Sequence, residues 1–263
     1  MAAAPQPFYT VQVDIEGCAY DVRVNDGPLL EDLDGLPVVV EIPINHLVRN
    51  GGNEISLRMR PGEGQDALDR ETKCALTIYV RESGEDKSRR REVAKLAYPG
   101  PAPTRRDGPD TLTTATFPAT VPFPLFRWFT SAEIPANENT RAELIRELER
   151  FHELLAAKNI DAILAAVRER DREHAAAYYE PLPDQVADTR RGFALQFDEA
   201  EYTLRPARVR NPRLRIFGNG RLARLDLSNG QSPIYYLMSD GDTAVYVTLV
   251  FCRDPQGKWM VIR

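Results

Sequence analysis

Three cysteines, three histidines and five lysines are all that the 263 residues contain, and each scarcity removes a class of function. Cys18, Cys74 and Cys252 are too few and too scattered for a disulfide scaffold or a zinc cage. His46, His152 and His174 include no close pair, so neither a metal site nor a cofactor is expected. No apolar run approaches the roughly 18–20 residues that cross a bilayer, which predicts no membrane span. A Gly-x-Ser-x-Gly elbow is missing, and Cys74 and Cys252 lie in apolar, strand-like runs where buried thiols are usually inert. Arg60-Pro-Gly-Glu-Gly64 lacks the Lys and the following apolar helix of a phosphate-cradling loop. The opening Met1-Ala-Ala-Ala-Pro5 is no basic and apolar leader. With unpaired cysteines this predicts the bacterial cytoplasm, or the periplasm if a leader has been removed.

What is present is ordinary for a globular chain: 43% hydrophobic residues, 28% charged and a net charge of −5, enough for one large domain or two small ones. Positive charge is carried by 29 Arg against 5 Lys. Up to residue 130 there are 15 basic and 19 acidic residues, and after it 19 and 20. Both halves are mildly acidic, so a protein built to hold nucleic acid is not expected.

The first half reads as short strands separated by turns. Phe8–Ile15 and Ala19–Val24 alternate apolar and polar residues, with Gly17-Cys18 between them as a hairpin tip. Asn25-Asp-Gly-Pro28 is a turn. Val38–Ile42 is a more fully apolar strand, interrupted by Glu41 and ended by Pro43, and 54–60 and 75–80 alternate again. Such spacing without helical period predicts an antiparallel β-sandwich over residues 1–130. The stretch Ile42-Pro-Ile-Asn-His-Leu-Val-Arg-Asn-Gly-Gly-Asn-Glu-Ile-Ser-Leu57 resembles the "G-x-N-x-I" turn of jelly-roll accessory domains. That resemblance implies a jelly-roll-like fold in which Gly takes the tight backbone and the Asn amide ties the loop to the next strand. Lys87-Ser-Arg-Arg-Arg91 reads as an exposed hairpin tip, and residues 98–109, rich in Pro, as an irregular segment. Thr111–Thr120 is again strand-like.

After about residue 130 the period changes, and an α+β domain is expected over 131–263. Leu144, Ile145, Leu148, Phe151, Leu154 and Leu155 form one helix face, with Asn139 or Thr140 as cap and Glu143 placed for a capping box. A second helix is predicted from Ile160 to about Tyr179, stopped by Pro181 and Pro183. Strands are predicted at 193–197, 201–204, 213–217, 221–225, 233–238, 243–252 and 258–262, with Gly-Asn-Gly at 218–220 as a hairpin. Phe151-His-Glu-Leu-Leu-Ala-Ala-Lys-Asn-Ile-Asp-Ala-Ile-Leu164 and the closing stretch Tyr246–Ile262 resemble the ketosteroid-isomerase-like and nuclear-transport-factor-like cone fold. The resemblance implies two helices laid on a curved antiparallel sheet, with a pocket between them, in a family whose members share a pocket and not a reaction.

Asp171, His174 and Tyr178 continue the stripe of Leu164 and Val167 at steps of three and four, which makes them candidates for the polar end of such a pocket. Tyr235, Tyr236 and Tyr246 are candidates for its walls. Residues 205–224 hold seven arginines and no acid; Arg213 and Arg215 share a strand face and are candidates for contact with a partner. Trp128 and Phe129, in an aromatic run that begins near Val121, are the other contact candidates, because Trp and Arg are enriched at interface hot spots. Tyr79 and Tyr98 give weak grounds for carbohydrate binding. The composition is similar in type to bacterial immunity and secretion-accessory proteins. The expected function is therefore non-catalytic binding of another protein. The alternative is a binder of a small apolar ligand, or an isomerase- or dehydratase-like enzyme, using the C-terminal pocket.

Overall fold

The structure, a computed structural model, describes residues 5–62, 66–107, 109–198 and 200–263. The chain divides between Leu125 and Phe126 into two compact units. Among the described residues it is a mixed α+β protein with four α-helices and sixteen strands in four antiparallel sheets. No described helix is long and apolar enough to cross a membrane.

The first unit holds β1 (Pro7–Glu16), β2 (Ala19–Val24), β3 (Gly27–Asp32), β4 (Val38–Pro43), β5 (Gly51–Arg60), β6 (Lys73–Glu82), β7 (Arg91–Tyr98), β8 (Thr104–Asp107) and β9 (Asp110–Ala119). They form one sheet in the order β4-β1-β6-β7 and another in the order β3-β2-β5-β9-β8. Period-two alternation buries Tyr9, Val11, Val13 and Ile15 of β1, and Ile55, Leu57 and Met59 of β5. The two sheets meet where Tyr9 lies 6.4 Å from Phe117 of β9, and the Tyr9 hydroxyl accepts a hydrogen bond from the Thr120 N–H at 3.2 Å.

Gly17-Cys18 is not the hairpin tip that the sequence predicts. β1 pairs with β4 and β6, and β2 pairs with β3 and β5, so Gly17 (φ 80°) carries the chain from one sheet to the other. The true hairpin follows at Asn25 and Asp26, both left-handed (φ 52° and 59°), as a two-residue turn of matching twist demands. Within the segment expected to be irregular, 104–107 form β8 on the edge of β9. The Lys87–Arg89 tip is a 3-10 turn between β6 and β7.

The Asn50–Asn53 turn is tied as its residues suggest. Gly51 takes a φ of 94°. Buried Asn53 accepts from the Arg49 N–H (2.9 Å) and from Asn25 Nδ2 (2.7 Å), and donates to the carbonyls of Arg49 and Gly51. Asn25 in turn accepts from the Glu54 N–H and donates to the Leu47 carbonyl. Asn53→Ala strands several buried partners at once and is expected to destabilise the unit by about 2–4 kcal/mol, measured by urea unfolding.

The second unit begins with α1 (Glu138–Ala156), α2 (Ile160–Ala166), α3 (Arg168–Tyr178) and α4 (Leu182–Gln196). Asn137 caps α1, accepting from the Thr140 N–H at 2.9 Å. The helix therefore starts before the expected cap, and Glu143 accepts from Trp259 Nε1 and Arg253 instead of closing a capping box. The expected second helix breaks at Val167 (φ −100°, ψ 10°) into α2 and α3. Tyr179 ends α3 in a left-handed conformation. The two prolines then start a helix in place of stopping one: Pro181 is the extended N-cap of α4 and Pro183 lies in its first turn, where no N–H is needed. The strand expected at 193–197 is thus the end of α4.

Seven strands follow: β10 (Tyr202–Leu204), β11 (Arg213–Phe217), β12 (Leu222–Asp226), β13 (Tyr235–Met238), β14 (Ala244–Tyr246), β15 (Phe251–Arg253) and β16 (Trp259–Val261). They order as β10-β13-β14 and β11-β12-β15-β16. The run 243–252, expected as one strand, contributes β14 to the first sheet and β15 to the second, with 247–250 between them. Leu144, Leu148, Phe151 and Leu155 of α1 share a core with Ile163, Phe193, Leu225, Tyr236, Phe251 and Trp259.

Candidate functional site

The predicted polar stripe of α3 faces α4. Thr189 Oγ1 donates to Asp171 Oδ1 at 3.0 Å, and Arg170 donates to the same oxygen through Nε and Nη2. Gln185 Nε2 donates to Thr189 Oγ1 at 3.3 Å, which leaves Gln185 Oε1 to accept from His174 Nδ1 at 2.9 Å. That assignment puts the proton of neutral His174 on Nδ1. The His174 ring also lies 4.5 Å from Tyr178. The three residues are therefore brought together, but Asp171 and His174 are linked through two α4 side chains and not to each other. They clamp two helices.

Burial lowers the His174 pKa, against the raising effects of its Gln185 hydrogen bond and of Glu180. A depressed pKa means that the folded state resists protonation, so its contribution is present above about pH 6.5 and is lost as pH falls. Thermal unfolding of wild type and His174→Gln between pH 8 and 5 is expected to show a steeper acid-side decline for wild type.

At the other end of α1 and α4 lies a cleft of about 570 Å³, within the range of small-molecule sites. Leu155 and Ala156 at the end of α1, Gln196 and Phe197 at the end of α4, Tyr202 and Leu204 of β10 and Tyr236 of β13 line it, with His152, Lys158 and Arg205 among its polar residues. Two buried atoms in this lining have no hydrogen-bond partner among the described residues: Tyr236 Oη and Gln196 Oε1. Burial pushes the Tyr236 phenol up to about 12, so it stays protonated as a buried O–H donor. Two other polar groups of the lining are paired with backbone carbonyls. The Arg205 carbonyl lies 2.9 Å from His152 Nε2, and Lys158 Nζ donates to the Phe197 carbonyl at 3.2 Å. The described lining carries no carboxylate.

Of the three tyrosines expected to wall a pocket, Tyr236 lines this cleft. Tyr235 is its neighbour on a strand and points to the opposite face, where it pairs with Tyr246 (5.8 Å between rings) and takes a hydrogen bond from Arg208 at 2.7 Å. Trp128, expected at an interface, is 1% exposed and stacks on Phe129 at 3.7 Å, so its ring offers no surface to a partner. Arg213 is exposed on the edge strand β11. Arg215 does not join it as a clamp: it donates to Asp226 Oδ2 at 3.2 Å and lies over the Phe217 ring. Arg224 holds both oxygens of that carboxylate, at 2.6 and 2.7 Å. In the first unit Tyr79 is covered by the Arg90 guanidinium at 4.1 Å.

Among the described residues no cluster of three or more His, Cys, Asp and Glu side chains is placed to hold a metal. No protein-family model, curated protein or solved structure matches the chain. Sequence reasoning missed Gln196, Leu155, Tyr202 and Leu204 as lining residues. Tyr202 and Leu204 carried a signal in their alternation; Gln196 did not, because its segment reads as a strand.

Proposed function

We propose that the second unit binds a small molecule in the cleft at the ends of α1 and α4, and that the ligand is a mainly apolar body carrying one hydroxyl or amide group. The observation that carries this is the pair of buried atoms with no partner among the described residues, Tyr236 Oη and Gln196 Oε1, in one lining. A buried polar atom without a partner costs about 1–3 kcal/mol, and a donor and an acceptor left open in the same cleft call for a group that can both accept and donate. Leu155, Phe197 and Leu204 supply apolar contact for the rest of the ligand. Because the described lining adds cationic groups and no carboxylate, a neutral or anionic ligand is favoured over a cationic one.

The order of helices followed by antiparallel strands, and the core that α1 shares with β12, β13 and β15, support the cone-like reading of this unit, in which a pocket belongs between helices and sheet. The two facing antiparallel sheets of the first unit support the jelly-roll-like sandwich reading. Attachment to another protein, as in immunity or secretion-accessory proteins, is the second reading. It draws on Val39, 74% exposed on the edge strand β4, and on exposed Arg213. Pocket binding is favoured because Trp128 is buried and Arg215 is engaged by Asp226.

The test is a thermal-shift screen of the full chain against neutral and anionic hydroxy and amide compounds of mainly apolar character. Compounds that stabilise wild type and fail to stabilise Ala156→Trp, in which an indole fills the cleft from the helix end, support the proposal. Equal stabilisation of both proteins, or none, overturns it.

A further inference from the structure

A second feature lies in the first unit and is independent of the cleft. Cys18 follows the Gly17 crossing from β1 to β2, and Cys74 is the second residue of β6. The two residues stand 56 positions apart in the chain, with their sulfurs 3.6 Å apart. Each is 3% exposed. The approach is held from both sides. Cys74 is fixed in register opposite Ile15 of β1 and Tyr98 of β7. The crossing is fixed by the Gly17 carbonyl, which accepts from Thr72 Oγ1 at 3.0 Å, and a Cβ at Gly17 would stand 3.3 Å from the Thr72 Cα. Two thiols, one in the crossing between the sheets and one on β6, are thus held face to face. A cleft of about 1060 Å³, lined by Glu16, Cys18 and Thr72 among others, opens onto the first of them.

We propose that Cys18 and Cys74 are a redox-active dithiol that closes to an intramolecular disulfide when a small hydroperoxide reaches Cys18 through this cleft. The Cys18 thiolate attacks one peroxide oxygen, the O–O bond breaks, and Cys18 becomes a sulfenic acid while hydroxide leaves. Cys74 gives its proton to that hydroxide, and its sulfur displaces the sulfenic oxygen from Cys18. The S–S bond forms as the S–O bond breaks. The departing hydroxide takes the proton first lost by Cys18, so two thiols and one hydrogen peroxide give one disulfide and two waters. The pair of sulfurs loses two electrons and the peroxide gains them.

The roles are not interchangeable. The hydrogen bond from the Cys74 thiol lowers the Cys18 pKa against the opposing effect of burial, while the Cys74 thiol is itself held high. Cys18 also lines the cleft. It is the attacking sulfur, and Cys74 is the one that resolves. Cys252, in the other unit, has its thiol pushed up to about 12 by burial and is expected to stay reduced. Closure ties the β4-β1-β6-β7 sheet to the β3-β2-β5-β9-β8 sheet beside the cleft.

The experiment is to oxidise the reduced full chain with hydrogen peroxide, stop the reaction with an alkylating reagent in denaturant, and count and map free thiols by mass spectrometry. Three thiols are expected to fall to one, with Cys18 and Cys74 lost together and about tenfold or more faster than Cys252. A Cys18–Cys74 linked peptide is expected, and dithiothreitol should restore all three thiols. Cys74→Ser, lacking the resolving sulfur, should accumulate a sulfenic acid at Cys18 that a dimedone probe captures. Retention of three thiols in wild type, or a linkage that involves Cys252 or a second molecule, overturns the proposal. Because the thiol count is made on wild type, a variant that fails to fold leaves the test intact.

Discussion

Asp226→Ala is expected to destabilise the second unit by about 3–5 kcal/mol, the cost of removing one partner from a buried ionic cluster. The carboxylate is 1% exposed. Arg224 grips it with two hydrogen bonds and Arg215 adds a third. In the antiparallel register Arg215 stands directly opposite Arg224, a like-charge pair that is unfavourable by itself. Asp226 converts that repulsion into a shared contact, and both guanidinium groups also lie over the Phe217 ring, at 4.9 and 5.2 Å. Without the carboxylate, two partly buried cations face each other and lose the counter-charge that Asp226 supplies. A loss of this size is a large part of the stability of a typical domain, so chemical denaturation should show a marked fall in the midpoint. The triple variant Asp226→Leu, Arg215→Leu, Arg224→Leu should recover most of it, since an apolar cluster of similar volume replaces a buried ion pair at little or no cost. If Asp226→Ala unfolds at the wild-type midpoint, the cluster is not what holds β11 to β12.

The same cluster shows why an arginine-rich stretch misleads. Residues 205–224 hold seven arginines and no acid, which on composition alone suggests a phosphate or partner surface. The neutralising carboxylate lies two residues beyond the stretch, and only strand pairing shows that 215, 224 and 226 converge. Local patterns were legible where one face of an element decides its fate. The alternation of β1 and β6, the α1 stripe from Leu144 to Leu155 and the Asn50–Asn53 turn all carry their structure in adjacent residues. Connectivity was not. Nothing near Gly17 says that β1 and β2 belong to different sheets, since each is a good strand with a good turn between them.

The prolines at 181 and 183 show how the candidate site was displaced. A proline ends one helix and begins another by the same geometry, because its fixed φ and missing N–H suit the first turn and no later one. As a stop signal alone, they predict no helix over residues 182–196, where α4 lies. With α4 in place, Gln185 and Thr189 meet Asp171 and His174, which turns the candidate polar end of a pocket into a clamp. The other end of α4 then carries Gln196 to the cleft.

Tyr236→Phe is expected to act in opposite directions on stability and on binding, and this separates a ligand site from a core residue. In the unliganded chain the Tyr236 hydroxyl is buried, 2% of the residue being exposed, with no partner among the described residues. Removing it relieves a desolvation cost of about 1–3 kcal/mol, so the unliganded variant should melt roughly 3–10 °C higher. The ligand, in contrast, loses the donor that its hydroxyl or amide group accepts from. A neutral hydrogen bond contributes about 0.5–1.5 kcal/mol, so affinity should fall roughly threefold to tenfold by calorimetry. Gln196→Leu should repeat the pattern from the acceptor side. Ala156→Trp, which puts an indole at an exposed position of the cleft lining, should abolish binding while leaving the unliganded midpoint close to that of wild type. A tyrosine that serves the core alone gives a different result: its loss lowers the midpoint and leaves affinity unchanged. Gain in stability with loss of binding is the expected signature of a site that holds unmet hydrogen bonds open for a ligand.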